Sequence, residues 1–153
     1  MILCNQSIKK EVQEIIVHYQ TNDIHELCNQ LKLKIFFNDL GNTEGILQYY
    51  KNTRVIHINP NIKNKEYFIA YMLGYFFLHA KPNTSIIFNK IENKEAIIFA
   101  SELLLTDEMI LAYEKKFKKG AIEEIAKLFN LPIPVVQVKL NGFYGNQFIF
   151  FNA

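Results

Sequence analysis

Apolar and polar residues repeat along the chain with two different periods, and these periods separate predicted helices from predicted strands. Apolar residues recur every three or four positions over residues 8–19, which predicts an amphipathic helix. The strongest helical pattern covers residues 65–79, where the chain is apolar on nearly all sides. A helix that is apolar all round is buried, so this segment is predicted to lie at the centre of the fold.

Shorter patterns complete the prediction. Further helices are predicted over residues 23–31, 93–105, 106–119, 121–129 and 135–140, and strands over residues 34–37, 45–50 and 53–58. Residues 84–92 are left without a predicted element. The apolar residues 147–151 predict a strand or an exposed end that could pair with a second copy in a homodimer. The pattern indicates a single α+β domain over residues 1–153, mostly helical, with a small N-terminal β-sheet. Within it, residues 1–119 form the core, and residues 120–153 form a helical C-terminal segment and apolar tail.

Composition narrows the class of protein. The chain has 153 residues, half of them hydrophobic, which is enough for one folded domain. A net charge of +2 with a single arginine, Arg54, makes a nucleic-acid or membrane partner unlikely on charge alone. The two cysteines, Cys4 and Cys28, are too few for a disulfide scaffold and indicate reduced thiols. With no signal-peptide pattern and no apolar run of membrane length, the prediction is a cytoplasmic protein.

Residues 25–29 resemble the zinc-binding motif HExxH. His25-Glu26-Leu27-Cys28-Asn29 departs from HExxH because an asparagine stands in place of the second histidine. The motif requires two histidines on one face of a helix, with the glutamate as general base. We therefore expect His25 to be a surface residue rather than a metal ligand.

A second string carries a family resemblance. Residues 70–79 read AYMLGYFFLH and resemble the AHELGHxxLH helix of ImmA/IrrE-family metallopeptidases. Residues 56–59 resemble the family's IxIN strand end, and residues 95–106 resemble its EAnxFAxxLLxP helix. Residues 122–140 resemble its C-terminal helical pattern, so the likeness covers roughly residues 8–142. The resemblance implies a zincin-like peptidase fold and a phage, mobile-element or stress-response setting. Active members are zinc enzymes that cleave a helix-turn-helix repressor.

The sequence departs from the family at the residues that would perform the chemistry. Tyr71 and Tyr75 stand where the resemblance implies zinc-binding histidines, and Met72 stands at the general-base glutamate. Glu95, with Glu92 as the alternative, matches the third-ligand carboxylate. Tyrosine is a rare zinc ligand, and a thioether cannot accept a proton from water. The sequence therefore predicts no catalytic residue, no metal and no cofactor.

Two structural expectations follow from these substitutions. A buried carboxylate needs a donor, so we expect the hydroxyl of Tyr71 or Tyr75 to bond Glu95 in place of zinc; simple packing of both rings is the alternative. His79 matches the last histidine of the family helix, which is not a primary ligand. We expect it to satisfy carbonyl groups at the helix end.

Three functions stay open at this point. The first is a catalytically inactive protein that binds a helix-turn-helix repressor or another regulator, and so acts as an antirepressor without cleavage. The second is an active metallo-endopeptidase with an atypical site. The third is DNA binding through residues 121–141, whose last helix offers Gln137, Lys139 and Asn141 as polar contacts.

Overall fold

The computed structural model describes residues 4–79, 81 and 83–145, with the side chains of residues 117–119 left aside. These residues form eight helices and four strands in an α+β fold, which confirms the predicted fold class. In chain order the elements are α1 (Asn5–Tyr19), α2 (Ile24–Gln30), β1 (Leu33–Phe37), β2 (Gly45–Tyr50), β3 (Thr53–Ile58), α3 (Lys65–His79), β4 (Thr84–Phe88), α4 (Lys94–Leu104), α5 (Asp107–Ala112), α6 (Glu114–Lys119), α7 (Ile122–Phe129) and α8 (Ile133–Tyr144). The predicted apolar tail, residues 147–151, lies outside the described residues.

The four strands form one mixed sheet in the order β1-β3-β2-β4. β1 runs parallel to β3, whereas β2 is antiparallel to both β3 and β4. The predicted hairpin between β2 and β3 turns at Lys51 and Asn52, with φ values of 46° and 63°. Two positive φ values suit a two-residue turn that follows the natural twist of the strands. Inward-facing residues such as Leu47 and Ile56 are buried against the helices.

Helix α3 lies at the centre of the protein, as its apolar pattern predicted. Eight consecutive residues, from Tyr67 to Gly74, are buried. Helix α4 packs directly on α3, and Gly74 of α3 lies against the side chain of Phe99 of α4. A Cβ atom at Gly74 would lie 2.9 Å from the Phe99 Cβ, so a larger residue would force the helices apart.

The structure corrects three predicted elements. β4 lies in the segment left unassigned; its five residues are too short a run for a clear period, and its pairing with the distant β2 fixes it as a strand. The helix predicted over residues 106–119 is broken at Tyr113, where φ is −114° and ψ is 22°. Helix α8 is longer than predicted, because Pro134 occupies its first turn, where proline is tolerated.

The C-terminal helices build a smaller hydrophobic cluster that begins at Leu105. Beside it, α8 carries Lys139, whose side chain is fully buried. Its Nζ donates to Glu102 Oε2 at 2.5 Å and to Asp107 Oδ1 at 2.6 Å. Lys9 of α1 lies 2.6 Å from Asp107 Oδ2, so four helices share one ionic cluster. None of the described helices is both long and apolar enough to cross a membrane.

Candidate functional site

The two tyrosines of α3 occupy a face that is filled by aromatic packing. Tyr71 is 2% exposed, and its ring contacts Phe68 and Phe88 with centroid distances of 6.4 and 5.8 Å. Tyr75 lies one turn later, with its ring 5.4 Å from that of Phe88. Phe88 is the last residue of β4, so this strand forms one wall of the site. The rings fill the face of α3 that the family resemblance assigns to a metal.

The hydroxyl of Tyr71 is hydrogen-bonded to the beginning of α4. Its Oη accepts a hydrogen bond from the backbone N–H of Asn93 at 3.0 Å. Asn93 is also the N-cap of α4, because its Oδ1 accepts from the Ala96 N–H at 2.9 Å. Glu95 Oε2 has no hydrogen-bond partner, and no bond between Glu95 and either tyrosine is found among the described residues, so the expected bond is wrong. The Tyr71 phenol satisfies a backbone donor at the helix start instead of the carboxylate two residues further on.

Glu95 instead faces the histidine at the end of α3. His79 Nε2 and Glu95 Oε2 lie 3.4 Å apart, and the two side chains are 26% and 15% exposed. The two atoms are close enough for an ion pair when His79 is protonated. They are not aligned as a hydrogen bond, and both atoms are buried without another partner. His79 thus lies at the helix end as predicted, but its neighbour is a carboxylate.

Met72 and Glu92 lie in different places: Met72 packs against β2, and Glu92 lines a groove beside β4. Met72 is fully buried, and its sulfur packs against β2, where a Cβ atom at Gly45 would lie only 3.1 Å away. Glu92 lines a shallow groove of about 340 Å³ together with Tyr71 and Tyr75. The groove runs beside β4, the last strand of the sheet.

The residues present do not fit a zinc site. Zinc in proteins is held by imidazole, thiolate and carboxylate groups, with three protein ligands in catalytic sites. The phenol of Tyr71 already accepts a hydrogen bond, and Met72 faces the sheet. One imidazole and one carboxylate remain, in His79 and Glu95. Within the described part of the chain, no three His, Cys, Asp or Glu side chains are grouped closely enough to share a metal.

The other candidate string behaves as the sequence predicted. The side chain of His25 is 59% exposed and lies 3.6 Å from Glu66, at the surface.

Sequence reasoning missed Asn93, whose backbone N–H donates a hydrogen bond to Tyr71. Its signal was present, since an asparagine directly before a helical pattern is a typical N-cap.

The Tyr71–Asn93 hydrogen bond can be tested with a matched pair of variants. Tyr71→Phe keeps the ring but leaves the Asn93 N–H without its acceptor, so the free energy of unfolding should fall by about 1–2 kcal/mol. Tyr75→Phe is the control, because no hydrogen bond to its hydroxyl is found within the described residues; we expect it to cost less than about 0.5 kcal/mol. Urea denaturation followed by circular dichroism measures both. Equal losses in the two variants would contradict this assignment.

Comparison with known proteins agrees with this arrangement of elements. Residues 28–141 match the sequence model of the IrrE N-terminal-like domain. The chain is 39% identical over 160 aligned positions to the metallopeptidase ImmA of Bacillus subtilis strain 168, covering 95% of this chain and 92% of that protein. It is 29% identical over 142 positions to the uncharacterized immunity region protein 2 of Bacillus phage phi105, covering 86% and 88%. From α2 to α8, then, the helices and strands described above are those of an IrrE N-terminal-like domain, and the chain belongs to the ImmA/IrrE family of metallopeptidases.

Proposed function

We propose that this chain is a catalytically inactive member of its family that acts by binding a protein. The target is a helix-turn-helix repressor or another regulator of a phage or mobile element, held without cleavage. One observation carries the proposal: Tyr71, at the first histidine position of the family helix, is buried, and its hydroxyl is bonded to the start of α4.

The chemistry of the substituted residues supports inactivity. Metallopeptidase chemistry on this motif uses two imidazoles as ligands and a glutamate that accepts a proton from water. A phenol with an ordinary pKa of about 10 is protonated at neutral pH and binds zinc poorly. The Met72 thioether has no basic site, and it packs against β2. Both ligand positions and the base position are therefore changed together.

The groove beside β4 supports a binding role. β4 pairs with β2 along one edge and with no other described strand along the other. A free strand edge offers backbone donors and acceptors to an extended peptide, while neighbouring side chains supply selectivity. Tyr75, Glu92 and Lys90 line the groove at this edge and offer an aromatic ring and one charge of each sign. Capture of a peptide segment here needs no bond cleavage.

The first experiment is elemental analysis of the purified chain after dialysis against zinc. We expect less than about a tenth of an equivalent of zinc, against about one equivalent for a catalytic site. The second experiment mixes the chain with the helix-turn-helix regulator encoded nearest to its gene. We expect co-elution in gel filtration with the intact mass of the regulator unchanged.

Two variants of this mixture separate binding at the groove from general adhesion. Tyr75→Ala should weaken co-elution, because Tyr75 lines the groove. Tyr113→Ala removes a 42% exposed ring on another part of the surface and is the matched control. A regulator that is shortened, or that binds both variants equally well, would refute the proposal.

An active metallopeptidase is the second candidate, since the 39% identical relative carries that name and His79 and Glu95 retain ligand chemistry. Bound zinc near one equivalent, lost in Glu95→Ala, would favour it.

The DNA-binding alternative through residues 121–141 loses the one charged side chain among its three predicted contacts, because Lys139 is buried within the ionic cluster. It is not part of our proposal.

A further inference from the structure

The face of the sheet that points away from α3 has no described element packed over it. Ten strand side chains alternate toward this face, as the burial pattern and strand register show. They are Lys34, Phe36, Ile46, Gln48, Tyr50, Thr53, Val55, His57, Ser85 and Ile87. We call this surface the outer face.

The outer face carries ordered and exposed aromatic rings. Phe36 is 45% exposed and stacks on His57, with centroids 5.7 Å apart and an interplanar angle of 26°. The two nitrogens of His57 are held by side-chain amides, Nδ1 at 2.8 Å from Asn38 and Nε2 at 3.3 Å from Gln48. Tyr50 is 58% exposed at the other end of the face. The Phe36 and His57 rings, held in this way, present a flat surface at little cost in conformational entropy.

The charge of this face is entirely of one sign. None of its ten side chains is Asp or Glu, whereas Lys34 lies within it, in register with Val55. Lys51, in the adjoining hairpin turn, places its Nζ 5.3 Å from the centre of the Tyr50 ring. A groove of about 610 Å³ passes along Tyr50 and Lys51, and its other lining residues are uncharged. The net charge of the whole chain is only +2, but this surface is locally cationic and aromatic.

The geometry points to a binding site for single-stranded nucleic acid on the outer face. Aromatic rings stack on bases of any sequence, and lysines pair with phosphates along the backbone. The row of Tyr50 and the row of Phe36 and His57 lie four residues apart, about 13 Å along the strands. Each row can therefore take one base, and a base reaches a protein ring with its flat face only when it is unpaired and splayed out, which favours a single strand over a duplex. This site meets the groove beside β4 at Ile87, but none of its aromatic or lysine residues lines that groove, and the inference does not depend on the proposed function.

The test measures fluorescence anisotropy of a labelled twelve-nucleotide oligo-dT with the full chain at several salt concentrations. We expect salt-dependent binding that is weaker for the same length of duplex. Tyr50→Ala should lower affinity about 5- to 150-fold, the range that corresponds to one lost stacking interaction. Lys34→Gln with Lys51→Gln should reduce the slope of log affinity against log salt by about 1.4, since single strands give about 0.7 per phosphate contact.

Lys115→Gln with Lys116→Gln is the matched control, because it removes the same charge from α6, whose lysines line a different groove from Tyr50 and Lys51. This control should leave affinity and salt slope near those of the unmodified chain. No binding of oligo-dT at 150 mM salt would overturn the inference. So would equal weakening by both lysine pairs, which indicates attraction by net charge, or equally good competition by polyglutamate, which indicates an acidic protein partner.

Discussion

Replacing Tyr71 and Tyr75 with histidine is expected to produce a chain that binds about one equivalent of zinc, against less than about a tenth of an equivalent expected for the unmodified chain. The two residues lie one helical turn apart on the same face of α3, which is the spacing of the histidines in an HExxH helix. Glu95 lies at the start of α4, which packs on α3, and is the candidate third ligand once its carboxylate turns from His79 toward the new histidines. Elemental analysis after dialysis measures the amount of bound zinc. A zinc-dependent rise in melting temperature provides a second readout.

The double variant Tyr71→His with Tyr75→His is preferable to a triple variant that adds Met72→Glu. Met72 is fully buried against β2, so a glutamate there carries a desolvation cost that could unfold the protein. Tyr71→Phe with Tyr75→Phe is the control, since it removes the hydroxyls without adding ligands. If the double histidine variant is folded by circular dichroism but still holds no zinc, then the two tyrosines do not occupy ligand positions, and our account of the site is wrong.

The sequence predicted the central elements of the fold because their signals are local. Helix α3 and the β2–β3 hairpin were predicted with the bounds that the structure has, since one is a long apolar run and the other is two β-rich runs joined at Lys51-Asn52. β4 was missed because five residues give a weak period and because its position is set by pairing with a distant strand. Such pairing depends on tertiary contacts that a single segment does not reveal.

In the candidate site, too, local features could be predicted from the sequence and contacts between elements could not. The positions that the family resemblance assigns to metal ligands follow from one motif, whereas the partners of those residues do not. The sequence placed Tyr71 beside Glu95, but the spacing along α4 puts Asn93 nearer to the phenol and turns Glu95 toward His79. A helical pattern fixes which face a residue occupies, but the distance between faces of different helices is set by packing, here by the close approach at Gly74.

Removing the buried Lys139 is expected to be the most destabilising single substitution among the polar residues discussed above. Lys139→Met keeps most of the side-chain volume but leaves Glu102 without its cation and Asp107 with Lys9 alone. Breaking a buried ion pair from one side costs about 3–5 kcal/mol, and the partial exposure of the two carboxylates places our expectation near 3 kcal/mol. Lys127→Met is the matched control, since Lys127 is exposed on α7; it should cost less than about 0.5 kcal/mol. Urea denaturation at pH 7 measures both variants.

The same cluster predicts how stability responds to acid. Burial alone would raise the pKa of Asp107, but hydrogen bonds from Lys139 and Lys9 outweigh it and lower the pKa below the ordinary value of 3.8. A carboxylate with a lowered pKa in the folded state stabilises the protein fully above its unfolded value, and this contribution is lost as the pH falls through the folded value. Stability of the unmodified chain should therefore drop as the pH is taken from about 5 toward 3. In Lys139→Met the main cause of the lowered Asp107 pKa is gone, and protonation of Asp107 relieves its desolvation, so the drop should be shallower. An equally steep drop in both proteins would show that the buried lysine does not govern the titration of Asp107.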